Sequence, residues 1–201
     1  PDLNNAPLPG SILSIGNYAF NGCDGLSSLA LGENLTTLGS YAFSGCTRLA
    51  NVHIPGTVST VGSGAFYGCT GLEEAIIADG VATIGSYAFY GCTGLSAVRI
   101  PASVTSIQER AFDGCSSLPA ISVSDENAAY SSLDGVLFSR PPQTLIQYPG
   151  GRSGAYTMPS GVVSIANFAF NGHAALTALD LPDSLSSIGN YAFNGCSALT
   201  A

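Results

Sequence analysis

The sequence predicts an α/β solenoid in which a short strand and a tight half-turn alternate along one axis, and three columns of residues predict it. Cysteine recurs every 23 residues at Cys23, Cys46, Cys69, Cys92 and Cys115; after a gap His173 takes that place, with Cys196 another 23 residues on. Phenylalanine keeps step at Phe20, Phe43, Phe66, Phe89, Phe112, Phe170 and Phe193. Leucine does the same at Leu26, Leu49, Leu72, Leu95, Leu118, Leu176 and Leu199. A leucine-based period of about 20–29 residues marks a leucine-rich-repeat solenoid, whose units bury their apolar sides only against one another.

Each repeat opens on a strand. In Leu49-Ala50-Asn51-Val52-His53-Ile54-Pro55 the alternation of Val52 and Ile54 fits a short strand with one buried face, and Pro55 ends it because proline cannot donate to a ladder. Leu26-Leu29-Leu31, Leu72-Ala75-Ile77, Leu95-Val98-Ile100, Leu118-Ile121-Val123 and Leu176-Leu179-Leu181 are its equivalents. A second apolar pair follows, as in Val58/Val61 and Val81/Ile84, and is closed by Gly39, Gly62, Gly85 or Gly189, read as a turn needing positive φ. Tyr-Ala-Phe-x-Gly-Cys then leads back to the next strand. Its apolar positions Phe66, Cys69 and Leu72 are spaced for one turn of α- or 3₁₀-helix.

One repeat departs from the rest. Strand-ending positions fall at 32, 55, 78, 101, 124, 159 and 182, so the step from 124 to 159 is 35 residues, 12 longer than the others. In place of the half-turn stand Val136-Leu137-Phe138 and Leu145-Ile146-Gln147-Tyr148, two strand-like runs around Pro141-Pro142 that read as a β-hairpin over residues 135–148. About seven repeats thus form one solenoid over residues 1–201, with the variant at about 124–159. The first apolar pair, Ile12 and Ile15, lies inside a repeat and Leu199 opens another strand. Terminal repeats normally carry a polar cap and neither end shows one, so the expectation is part of a longer array.

The unit I-P-x-x-V-x-x-I-G-x-x-A-F-x-G-C-x-x-L appears here as Ile100-Pro101, Val104, Ile107, Ala111-Phe112, Gly114-Cys115 and Leu118. It is interrupted by Asp134 to Phe138, Leu145 to Pro149 and Tyr156 to Pro159. This pattern resembles the BspA-like, treponemal class of leucine-rich repeats from about residue 11 onward. The resemblance implies a curved right-handed solenoid on secreted or surface proteins of host-associated bacteria. It also implies adhesion to host matrix proteins such as fibronectin, or co-aggregation. No catalytic residue comes with it. Gly64 and Arg110 where tyrosine usually stands, Ala75 at an inward strand position, and His173 for cysteine depart from the pattern.

Thirteen acids against five arginines and no lysine give a net charge of −8, which disfavours nucleic acid and anionic membrane as partners. The absence of lysine reads as lineage bias. No apolar run approaches the ~18–20 residues of a spanning helix, so no membrane insertion is expected. The cysteines form a parallel row whose Cβ atoms stand farther apart than a disulfide prefers, and are read as free buried thiols. A linear stack without CxxC cannot surround zinc. Gly62-Ser63-Gly64 with Gly68 is GxGxxxG and not a dinucleotide loop, no GxSxG occurs, and His173 reads as packing. Asn34-Leu35-Thr36 is a formal glycosylation sequon, taken as coincidence. No catalytic residue, cofactor site or metal site is expected, and nothing supports an enzyme.

The strand face offers a candidate partner-binding site. With Val52 and Ile54 inward, His53, Ile76 and Arg99 share one outward column and Glu74 the next, so these four form a patch with an isoleucine among charges. Such a patch has the character of a binding hot spot; the competing interpretation is a solvated face with one stray apolar residue. Tyr18, Tyr41, Tyr87 and Tyr191 with Phe168 form an aromatic stripe elsewhere, read as packing between turns. Two functions follow. One is an extracellular binding or adhesion solenoid that contacts a protein or a glycan; the other is a spacer that presents further domains and binds nothing.

Overall fold

The structure is a computed structural model and describes residues 8–141 and 143–200. Two rows of parallel strands run along its first part. The row of two-residue strands contains β1 (Ser14–Ile15), β2 (Thr37–Leu38), β4 (Thr60–Val61), β6 (Thr83–Ile84) and β8 (Ser106–Ile107), in that order. The other row contains β3 (Asn51–Ile54), β5 (Glu74–Ile77), β7 (Ala97–Ile100) and β9 (Ser122–Val123). Each residue of β3 pairs with the one 23 positions later in β5, so sequence period and spatial register are the same quantity. Leu26, Leu29 and Leu31 are buried as the pattern requires, though their segment pairs as no strand.

The helical half of the α/β expectation is replaced by a turn. Among the described residues there is no helix; Tyr-Ala-Phe-x-Gly-Cys is a compact turn whose N–H groups alternate between local and neighbouring acceptors. Phe43 N–H donates to Ala65 in the next repeat while Cys46 N–H donates back to Phe43. Half the turn's donors are thereby used between repeats, which one turn of helix would not allow. Phe20, Phe43, Phe66, Phe89 and Phe112 stack with ring centroids 5.0–5.6 Å apart. Burial of Phe43, Phe66, Phe89 and Phe112 contributes about 1.5–3 kcal/mol each, and half-buried Phe20 contributes less.

The glycines that close the second strand have a different reason from the expected one. Gly39, Gly62, Gly85 and Gly189 do not have positive φ. They are small because the preceding turn passes directly over them: a Cβ on Gly62 would lie 2.5 Å from the carbonyl carbon of Gly39. Positive φ falls two residues later, at Tyr18, Tyr41, Gly64, Tyr87, Arg110, Phe168 and Tyr191. The rings at these positions stack between turns, Tyr18 on Tyr41 at 5.3 Å and Phe168 on Tyr191 at 5.2 Å, as expected for packing. Where Gly64 interrupts the column, the Tyr41 ring leans over it toward Tyr67.

The variant repeat is a three-stranded meander. β11 (Val136–Ser139) pairs antiparallel with β12 (Thr144–Gln147), the expected hairpin, and also with β10 (Tyr130–Leu133) through a two-residue Asp134-Gly135 turn. Pro142 of the second connection lies outside the described residues. β12 then rejoins the regular register by pairing parallel with β14 (Ser164–Ile165), which pairs with β16 (Ser187–Ile188). β13 (Gly154–Thr157) and β15 (Leu176–Asp180) restart the strand row as a separate pair. β11 is a septum. Leu137 belongs to the core before it, and Val136 and Phe138 belong to the core after it, all three fully buried.

Two devices hold the septum in place. The buried Asn127 amide donates to the carbonyls of Pro101 and Val104, and its oxygen accepts from the N–H groups of Ala129 and Tyr130. On the turn side Arg110 sits over the rings of Tyr87, Tyr90 and Phe168 and pairs with buried Asp113 at 2.7 Å. Asn171 reaches the same Asp113 carboxylate from 58 residues away. Arg110 stands where most repeats have tyrosine, and its guanidinium reaches the Phe168 ring at 4.6 Å across the place of the missing half-turn.

Candidate functional site

The strand face forms from alternation. In β3, β5 and β7 the inward residues are buried and the outward ones exposed, without exception. Register pairs His53 with Ile76, Ile76 with Arg99, and Arg99 with Ser122, so these side chains stand in one row about 4.8 Å apart. Glu74 lies on the same face two residues before Ile76. All four candidates are exposed, Ile76 at 49%.

A groove of about 550 Å³ runs over this face. Glu74, Ile76 and Arg99 line it together with Pro101, Ser122 and the Pro119-Ala120 wall; His53 stands beside Ile76 but outside the groove. That wall rests on the β10–β11 turn, since a Cβ on Gly135 would lie 2.7 Å from the Cβ of Ala120. The Asp134-Gly135 turn of the meander thus backs the wall of the groove. Leu133 is 37% exposed at the tip, and the Asp134 carboxylate beside it pairs with Arg152 at 3.0 Å. The wall was missed in the sequence. Asp134-Gly135, a preferred two-residue hairpin turn directly before the strand-like Val136 to Phe138, was the available signal.

Electrostatically the groove is unsatisfied. Arg110 and Arg152 are held in ion pairs and Arg140 donates to the Tyr130 carbonyl. The Arg99 and Glu74 side chains, like that of Arg48, have neither an ion-pair nor a hydrogen-bond partner among the described residues. Neither group has a competing partner to give up when a ligand arrives.

The other titratable groups are committed to packing. All six cysteines are free, and Cys46, Cys69, Cys92 and Cys115 are buried with each thiol donating to the carbonyl 26 residues earlier at 3.1–3.2 Å. Burial pushes the Cys46 thiol up to about 11 and those of Cys69 and Cys115 up to about 12. His173 packs edge-on against Tyr148 and Phe170 in the cysteine column, as expected. Among the described residues no group of three or more His, Cys, Asp or Glu could hold a metal ion, and no helix is long and apolar enough to cross a membrane.

The class these features define is a leucine-rich-repeat solenoid with a strand face, a turn face and one meander repeat. The chain belongs to the BspA type leucine rich repeat family, whose signature matches in six copies over residues 2–126 and 154–201 and skips the meander. Its structure is similar to that of the pneumococcal vaccine antigen PcpA, with 27% identity and a TM-score of 0.86 over 97% of this chain and 49% of that one. A leucine rich cell surface protein from Faecalibacterium prausnitzii A2-165 is similar at 32% identity and a TM-score of 0.80, over 96% of this chain and 59% of that one. The leucine rich repeat protein of T. pallidum is similar at 26% identity and a TM-score of 0.64, over 97% of this chain and 77% of that one. This chain thus spans 49% and 59% of the first two. None of the curated proteins matches it.

Proposed function

We propose that this chain is the binding portion of a bacterial cell-surface adhesin, which engages a host matrix protein through the groove on its strand face. The observation that carries the reading is the exposed Ile76 between His53 and Arg99, in a groove where the Arg99 and Glu74 charges are unpaired. An apolar anchor inside a polar rim is the usual composition of a protein-binding hot spot. The printed descriptions of two similar proteins, a vaccine antigen and a cell surface protein, agree with exposure to a host. The rest of the face, Ala97, Ala120 and Ser122, is small, so affinity at one groove is modest and repeated engagement strengthens it.

The test is binding of the chain to immobilised fibronectin and a panel of other matrix proteins, with Ile76→Asp and Arg99→Glu alongside. Both variants sit on an exposed face and leave the core intact. Each is expected to weaken binding about tenfold. Unchanged binding of both variants removes the strand face as the site. Absence of binding across the whole panel favours a spacer that presents other domains.

A further inference from the structure

Regular turns of the solenoid are joined to one another through backbone. Tyr87, Phe89 and Gly91 N–H donate to the carbonyls of Glu109, Ala111 and Asp113 in the next turn. Phe168, Phe170 and Gly172 N–H do the same to Asn190, Ala192 and Asn194. The junction between these two runs is different. Arg110, Phe112 and Gly114 N–H donate to no backbone carbonyl among the described residues. Side chains join the turns there instead: the Asn167 amide donates to Glu109 at 2.7 Å, the Asn171 amide donates to Asp113 at 2.9 Å, and Arg110 lies over the Phe168 ring. The row of two-residue strands stops at the same place, with β8 last and the Ile107 N–H taken by the Tyr130 hydroxyl. A cleft of about 180 Å³ lies along this break, between Arg110 and Phe112 on one side and Asn167 on the other, with Leu137 and Ile146 also lining it.

The strand side of the same junction is held by backbone. Ile121 N–H donates to Gly135 and Gly151 N–H donates to Leu118, both at 2.8 Å. The chains are also in close contact, since a Cβ on Gly150 would lie 2.5 Å from the Cys115 carbonyl oxygen. Opening a regular junction on the turn side breaks three backbone hydrogen bonds, whereas opening this one exchanges side-chain contacts for water, which polar groups near the surface do readily. Opening it on the strand side would break backbone bonds packed between two cores.

We infer that the meander is a one-sided hinge. The parts before and after it, 8–123 and 144–200, open at the turn side about the backbone contacts of Leu118 and Ile121 with Gly151 and Gly135. The contacts of Glu109, Arg110 and Asp113 with Asn167, Phe168 and Asn171 are the latch that closes it. This goes beyond the proposed binding role and does not depend on it: the angle between the strand rows β3–β9 and β13–β15 is adjustable, and the latch sets how often it changes.

The test is pulsed electron paramagnetic resonance on nitroxide pairs, with the half-buried Cys23 and Cys196 replaced by serine. Ser63→Cys with Asn190→Cys spans the junction on the turn side, and His53→Cys with Thr177→Cys spans it on the strand face. Glu109→Ala combined with Asn171→Ala removes both amide bridges and leaves Arg110 with Asp113. In that variant the turn-side distance distribution is expected to lengthen and to widen about twofold, while the strand-face distribution stays as it was. Arg110→Gln is expected to act in the same direction. A turn-side distribution as narrow in the Glu109/Asn171 variant as in the unaltered chain overturns the inference. So does equal widening of both pairs, which marks a general loosening of the meander. Should Arg110→Gln fail to fold, the Glu109/Asn171 variant decides alone, because Glu109 is exposed and Asn171 half-buried, both outside the apolar core.

Discussion

The four innermost thiols, Cys46, Cys69, Cys92 and Cys115, occupy a fully buried row in which each donates to a carbonyl of the preceding repeat. Their burial has a consequence for stability. In the unfolded chain a thiol titrates near 9.0, whereas burial holds Cys69 and Cys115 protonated to about 12. Below pH 9 both states are protonated and the thiols add no pH dependence. Above it the unfolded state loses protons that the folded state keeps, so stability falls as pH rises toward 12, by at most about 1.4 kcal/mol per pH unit per thiol. Denaturant unfolding of the reduced chain between pH 8 and 11 should show this decline, and Cys69→Ala should flatten its slope by one thiol. An unchanged slope in the variant would mean that Cys69 is not shielded from water. The cysteine column was legible in the sequence because its period coincides with the repeat. The reason for Gly39, Gly62 and Gly85 was not, because a close approach between turns leaves the same sequence mark as a positive φ.

Among the elements, the meander is where periodic reading reached its limit. The hairpin of β11 and β12 was visible as two β-rich runs, but β10 reads Tyr-Ser-Ser-Leu, too polar to stand out as a strand. The burial of all three of Val136, Leu137 and Phe138 follows from β11 having a core on each side, which no single-faced alternation predicts. Deleting residues 135–148 would therefore open both cores. Arg110 marks the same junction. Arg110→Ala removes contacts to Tyr87, Tyr90 and Phe168 and strips buried Asp113 of its charge partner. The expected loss is about 2 kcal/mol in denaturant unfolding, less than the ~3–5 kcal/mol for a wholly buried pair because Arg110 is partly exposed. Arg110→Lys should recover part of it. A loss below about 0.5 kcal/mol would show that the meander is held without Arg110.

At the scale of the whole molecule, one register relates sequence to surface: a 23-residue step moves one strand along the sheet, so residues far apart in the chain become a row. That is why the alignment of His53, Ile76 and Arg99 is legible in the sequence. The groove around them is not, since its wall comes from Pro119-Ala120 supported on a turn that breaks the period. The proposed function depends on that groove being where a partner sits. Hydrogen–deuterium exchange of the chain with and without fibronectin tests it most directly. Slowed exchange confined to 74–77, 97–100 and 119–124 is expected. Protection instead at the tyrosine turns, 17–22 and 40–45, with the strand face unchanged, would contradict it.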